Sequence, residues 1–242
     1  MLIKEFTDVP VAEFSIASAV QFHDTLNPKL FDGEQLRGDI RDGLLKIAEH
    51  FEEFIGVELD VVDITISGSN AAFTYTSYSD IDLHIVVQVP DTEEYKQLLD
   101  AKKNVYNAKH DITVKGIPVE LYAQDVDQDH HSVGIYSVLN DEWVSSPERT
   151  EADINTGDVK DKFNNYKSRI KVVLNNEEYD VAKAMWDDIK RMRKAGLETQ
   201  SSELSTENLV YKMLRNKGWI EKLQDHMNEL VDKDLSIEGR QE

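Results

Sequence analysis

The chain has 242 residues, 40% of them hydrophobic, and 27 lysines and arginines against 47 aspartates and glutamates leave a formal charge of −20. It has no cysteine, which excludes a disulfide framework, a zinc ribbon, an iron–sulfur cluster and a thiol nucleophile. Length of this order carries one or two domains with full cores, no apolar run reaches the roughly 20 residues of a membrane span, and the summed negative field disfavours long nucleic acid as a partner.

The opening MLIKEFTDVPVAEF lacks the apolar core of a signal peptide, so a cytoplasmic location is expected. From about Asp32 to Ile55, Leu36, Ile40, Leu44, Ile47, Phe51 and Phe54 recur at three- and four-residue steps, which predicts a helix with Asp32 as its cap and Gly56 as its end. VVDITIS, Val61 to Ser67, then alternates as a strand does and stops at Gly68. In the next strand Ile81, Leu83, Ile85 and Val87 fall on one face, with Asp80, Asp82 and His84 on the other, and Pro90 closes it. A helix from about Thr92 to Ala108 follows, with Tyr95, Leu98, Leu99, Lys102, Val105 and Tyr106 at helical spacing. Asp111 to Val114 and Ile117 to Ala123 read as two short strands turning at Lys115-Gly116.

Patterning weakens from Gln124 to Thr156, apart from a short apolar stretch at Gly134 to Leu139. A boundary near residue 150 is expected, with 1–150 one domain and 151–242 a second, helical one. Its helices are predicted at Asp158 to Leu174, Glu177 to Ala195, Thr206 to Lys217 and Trp219 to Val231, with Gly196 and Gly218 as breakers and Ser205 or Thr206 as a cap. Trp143, Trp186 and Trp219 read as core or interface aromatics.

The chemistry gathers where a strand ends in Gly68-Ser69 and a second strand begins, ten residues on, with Ser79-Asp80-Ile81-Asp82. Two aspartates one residue apart on a strand point to the same side, roughly 6.5–7 Å apart at Cα. Carboxylates that close repel unless a divalent ion neutralises them or one takes a proton, and oxygen ligands without His or Cys select Mg²⁺ or Mn²⁺. Glu120, between core-facing Val119 and Leu121, is the candidate third acid, with Asp125 and Asp111 as alternatives. Gly68 admits close backbone approach, and Ser69 offers a hydroxyl and an N–H to phosphate oxygens. His84 extends the carboxylate face toward substrate or toward a half-exposed sheet end. Asp125-Val126-Asp127-Gln128-Asp129 imitates a calcium loop but has His130 where the turn glycine belongs and Tyr136 where the bidentate Glu belongs, and the pair His130 and His131 lacks the partners of a zinc site. Ile237 to Arg240, IEGR, carries no functional reading.

The run ITISGSNAAFTYTSYSDIDLHIVV, with Glu120 in VELYA, resembles the signature of the DNA polymerase beta-type nucleotidyltransferase superfamily, over roughly residues 33 to 123. Gly68-Ser69, Asp80, Asp82 and Glu120 match its glycine-serine turn, its D-x-D and its third acid. SELSTENLVYKMLRNKGWIEKL is similar to the tails of predicted nucleotidyltransferases of tailed bacteriophages. The resemblance implies an α/β (α+β) fold, with a small mixed sheet, helices on one face, carboxylates on the other and a C-terminal helical bundle. It also implies a magnesium-dependent transferase that moves a nucleoside monophosphate from an NTP such as ATP to an acceptor and releases pyrophosphate. Metal binding falls to Asp80, Asp82 and Glu120, and nucleotide binding to Gly68, Ser69 and Ser79. The acceptor stays open among a small molecule, a protein and an RNA end. Two features depart from the pattern: the third acid is Glu, and Asn70-Ala71-Ala72-Phe73 lacks the arginine and second glycine that many members carry. An inactive binding or regulatory protein of the same fold, or another metal-dependent phosphoryl-transfer enzyme, are the rival expectations.

Overall fold

A computed structural model describes residues 15–236, except 58, 89, 91, 129–131, 150–153 and 200. The opening segment, His130 with His131, and Ile237 to Arg240 lie outside the described residues.

Alternation along one strand decides how the sheet faces. Ile81, Leu83, Ile85 and Val87 are each 0% exposed, and burying such a side chain is worth about 1.5–3 kcal/mol. A slip of one residue would drive Asp82 and His84 into that core, so the register is fixed. This strand, β4, is one of a chain-ordered set: β1 Phe31–Asp32, β2 Gln35–Leu36, β3 Asp60–Ser67, β4 Ile81–Gln88, β5 Thr113–Val114, β6 Ile117–Asp125, β7 Ile135–Ser137 and β8 Glu142–Ser145. Six of them form a mixed sheet in the order β5-β6-β4-β3-β7-β8, in which β4 and β6 are parallel and the other neighbours antiparallel. Helices α1, Gly38–Ile55, and α2, Glu93–Lys109, cover one face through Ile40, Leu44, Phe51, Leu99 and Tyr106. The fold is the α/β arrangement expected, with the acids on the opposite face.

Two expectations need correction in this unit. The first helix starts at Gly38, because Phe31 to Leu36 folds into a two-stranded hairpin at Gly33 (φ 62°), so Asp32 is a strand residue and caps nothing. Helix α2 forms over the expected residues, with a buried stripe through Leu99 and Tyr106 and with Leu98 and Val105 exposed. The weakly patterned stretch holds β7 and β8, anchored by an aromatic cluster in which Phe31 stacks on Trp143 at 5.5 Å and meets Tyr136 edge-on at 5.7 Å. Lys115 (φ 52°) and Gly116 (φ 76°) form the predicted β5–β6 turn.

The chain divides into two compact units, Gln21–Glu151 and a helical unit that joins the residues up to Val20 to those after the first unit. The helical unit holds α3 Thr156–Val173, α4 Tyr179–Leu197, α5 Thr206–Asn216 and α6 Trp219–Leu235. Ser205 caps α5 by accepting from the Asn208 N–H. Gly196 does not break α4, which continues to Leu197. Among the described residues no helix is long and apolar enough to cross a membrane.

Candidate functional site

Ligand oxygens of Asp80, Asp82 and Glu120 lie within 4.8 Å of one another, on the face of the sheet opposite α1 and α2. Register explains the convergence. Asp82 pairs with Glu120 across the parallel β4–β6 ladder and with Ser67 across the antiparallel β3–β4 ladder. Paired residues share a face, so three strand positions aim at one point. Of the alternatives for the third acid, Asp125 stands at the far end of β6, beside Val87, and forms an ion pair with Lys96 at 3.4 Å. Asp111 stays near the site. It borders a hollow of about 320 Å³ walled also by Asp80, Glu120, Asn107 and His110.

The glycine-serine turn is built around the same carboxylates. Gly68 has φ 76° and ψ −161°, a conformation closed to residues with a side chain, and a Cβ there would lie 2.0 Å from Asp82 Oδ2. The Gly68 N–H donates to Ser132 Oγ at 3.2 Å. Ser69 Oγ and Ser79 Oγ share a hydrogen bond of 2.7 Å, and Ser79 Oγ also accepts from the Thr76 N–H at 2.9 Å. Ser79 thus braces the loop and fixes the Ser69 hydroxyl. Asn70, 1% exposed, donates to the Asp80 carbonyl at 2.7 Å and accepts from Asn27 Nδ2 at 2.7 Å. Its side chain fixes the backbone at Asp80, at a position where the sequence departs from the superfamily pattern.

Behind the acids the face is closed by a polar chain. His84 is buried and makes no open sheet end; its Nδ1 donates to Gln124 Oε1 at 2.9 Å, so in the neutral ring Nε2 accepts from the Ser67 hydroxyl at 3.1 Å. Its ring stacks on Tyr122 at 4.8 Å. Burial pushes the Tyr122 phenol well above its ordinary pKa, and the charges of Asp82, Glu120 and Asp80 and a hydrogen bond to Glu120 add to the rise. Tyr122 therefore stays a neutral donor to the Glu120 carboxylate. Asn107 of α2 holds the strand next to Glu120, donating to the Leu121 carbonyl at 2.8 Å and accepting from the Leu121 N–H at 3.1 Å. Sequence reasoning missed Tyr122, Asn70 and Asn107. Only Tyr122 carried a signal, since it follows Glu120 by two on the same strand face.

The donor set fits a divalent ion: three carboxylates, oxygen ligands only, too close to share a surface comfortably while all are charged. Comparison of the chain with protein-family models, curated proteins and solved structures finds no match in any of the three.

Proposed function

We propose that the chain is a metal-dependent nucleotidyltransferase that transfers a nucleoside monophosphate from a nucleoside triphosphate to an acceptor and releases pyrophosphate. The convergence of Asp80, Asp82 and Glu120 beside the Gly68-Ser69 turn carries this reading. Asp80, Asp82 and Glu120 would hold Mg²⁺ or Mn²⁺, which when bound offsets the charge gathering on the phosphoryl oxygens and lowers the pKa of an attacking hydroxyl. The acceptor oxygen bonds to the α-phosphorus, the bond to the bridging oxygen of the β-phosphate breaks, and the electron pair leaves with pyrophosphate. Glu120 takes the acceptor's proton, held in place by the Tyr122 phenol. Ser69 orients the triphosphate, and Ser79 fixes Ser69. A cytoplasmic location goes with the reading, since triphosphates and Mg²⁺ are held there. The Glu120 end of the site meets a hollow walled by His110 and Asp111, where a small polar acceptor fits better than a long polyanion.

The test uses α-³²P-labelled triphosphates with Mg²⁺, a panel of small-molecule, protein and RNA-end acceptors, and calorimetric titration of the triphosphate. Wild type is expected to bind the triphosphate only with Mg²⁺ and to move label onto an acceptor. Asp80→Asn with Asp82→Asn should lower both by more than about 100-fold, since losing mere supporting groups around metal ligands already costs 10–100-fold. Binding unaffected by the double substitution overturns the assignment. Label released as free nucleotide marks another phosphoryl-transfer enzyme, and metal-dependent binding without turnover on any acceptor marks a binding or regulatory protein.

A further inference from the structure

Strands β3 and β4 are antiparallel neighbours, yet the connection between them, residues 68–80, is far longer than the roughly two to five residues such a pair needs. Long ordered loops commonly carry function. This one carries Ser69 and Ser79 and leads into Asp80. Its one regular piece is the 3₁₀ turn Ser69–Ala71, so its shape depends on contacts from elsewhere in the chain.

Those contacts come from the two ends of the sheet unit, which begins at Gln21 and closes at Glu151. In the entering segment the His23 backbone N–H donates to the Phe73 carbonyl at 2.9 Å, and the ring Nε2 donates to the Tyr75 carbonyl at 2.9 Å. A carbonyl only accepts, so the neutral ring carries its proton on Nε2. The same ring lies flat on Tyr75, with centroids 3.8 Å and planes 7° apart. Further along, Asn27 grips Asn70, which in turn holds the Asp80 carbonyl. The leaving segment adds Arg149, whose guanidinium stands 5.3 Å from the centroid of the Phe73 ring. Gly134 makes room for the Ala71 carbonyl and for Pro147, since a Cβ there would lie 2.1 Å from one and 3.1 Å from the other. Arg149 also donates to the Asp24 carbonyl and pairs with the Asp24 carboxylate at 3.8 Å, which ties the entering segment to the leaving one.

We propose that these two segments form a clamp on the loop, with His23 as the positioning residue that sets the Gly68-Ser69 turn against Asp80. Ordering each loop residue costs backbone entropy, and anchors at Asn70, Phe73 and Tyr75 offset that cost at three points along it. Released from His23, the loop loosens. Ser69 then parts from Ser79, and Asn70 frees the Asp80 carbonyl, so the carboxylate oxygens no longer converge on one ion. Groups that support metal ligands in this way commonly change affinity 10–100-fold. The hold of the clamp on the loop is independent of the reaction; its bearing on catalysis rests on the transferase reading.

Segment-resolved hydrogen exchange and calorimetric Mg²⁺ titration of the full chain test the clamp. His23→Ala is expected to speed exchange over residues 69–79 about tenfold, the scale of one hydrogen bond and one ring contact, and to weaken Mg²⁺ binding about tenfold or more. His23→Gln keeps a donor at that place and should restore most of both. His50→Ala removes a comparable bond, to the Tyr106 hydroxyl at 2.9 Å between α1 and α2, and should leave both unchanged. Arg149→Gln alters an exposed side chain without touching the core, and should speed exchange in the same loop. Exchange over 69–79 unchanged in His23→Ala and Arg149→Gln, or raised equally in α1 and β4, overturns the proposal. So does a loosened loop with wild-type Mg²⁺ affinity. A wild-type chain that binds no Mg²⁺ ends the transferase reading, and the exchange measurement then decides the clamp alone.

Discussion

Gly68 shows how much of the site hangs on a single missing side chain. Its φ of 76° with ψ of −161° and the 2.0 Å approach of a Cβ to Asp82 Oδ2 are two separate demands for glycine. Gly33 makes only the first kind of demand, since it has φ 62° and nothing within 4 Å of a Cβ. Gly33→Ala should therefore cost about 1–2 kcal/mol, the left-handed backbone penalty, and leave metal affinity unchanged. Gly68→Ala should cost about 1–3 kcal/mol in backbone strain and also displace Asp82, lowering Mg²⁺ affinity. Urea unfolding reads the first effect and calorimetric Mg²⁺ titration the second; equal Mg²⁺ affinity in the two variants contradicts the role given to Gly68. Asp80, Asp82 and Glu120 were legible in the sequence because strand alternation alone assigns their face. Asn70 and Asn107 were not, because their amides meet Asp80 and Leu121 through partners 10 and 14 residues away, which no local pattern encodes.

Strand and helix patterns told the same story one level up. Strand β4 and helix α1 were readable because the core imposes a period of two on one and of 3.6 on the other. The short pieces were not. Strands β7 and β8 are held by Phe31, Tyr136 and Trp143 and by the Trp143 Nε1–H donating to the Glu34 carbonyl at 2.7 Å, contacts across about a hundred residues. Helix α4 likewise outran its expected end, because Gly196 serves packing. A Cβ at Gly196 would sit 2.6 Å from Glu207 Cβ and 2.6 Å from Ser205 Oγ, where α4 meets the start of α5. Gly43, inside α1, has nothing within 4 Å of a Cβ. The same substitution should thus act with opposite sign. Gly43→Ala should stabilise by about 0.5–1 kcal/mol through helix propensity alone, whereas Gly196→Ala should destabilise by about 1–3 kcal/mol through overpacking. Urea unfolding of the two variants checks this, and stabilisation by Gly196→Ala would contradict the tight approach of α4 to α5.

The whole molecule has two separate cores, one between the sheet and helices α1 and α2, the other among α3 to α6. Each buries its own apolar residues, so unfolding need not be one cooperative event. A ligand stabilises the part that binds it, by about 2.7 kcal/mol at a hundred times its dissociation constant. Mg²⁺ should therefore slow hydrogen exchange in strands β3, β4 and β6 and leave α3 to α6 unchanged. Without Mg²⁺, three neighbouring carboxylates repel one another. Asp80→Asn with Asp82→Asn should then make the sheet unit more stable than wild type in the absence of Mg²⁺ and insensitive to Mg²⁺ when it is added. Segment-resolved hydrogen exchange by mass spectrometry separates these effects in one intact chain. Protection by Mg²⁺ spread evenly over both cores, or retained in the double variant, would place the metal somewhere other than beside Gly68.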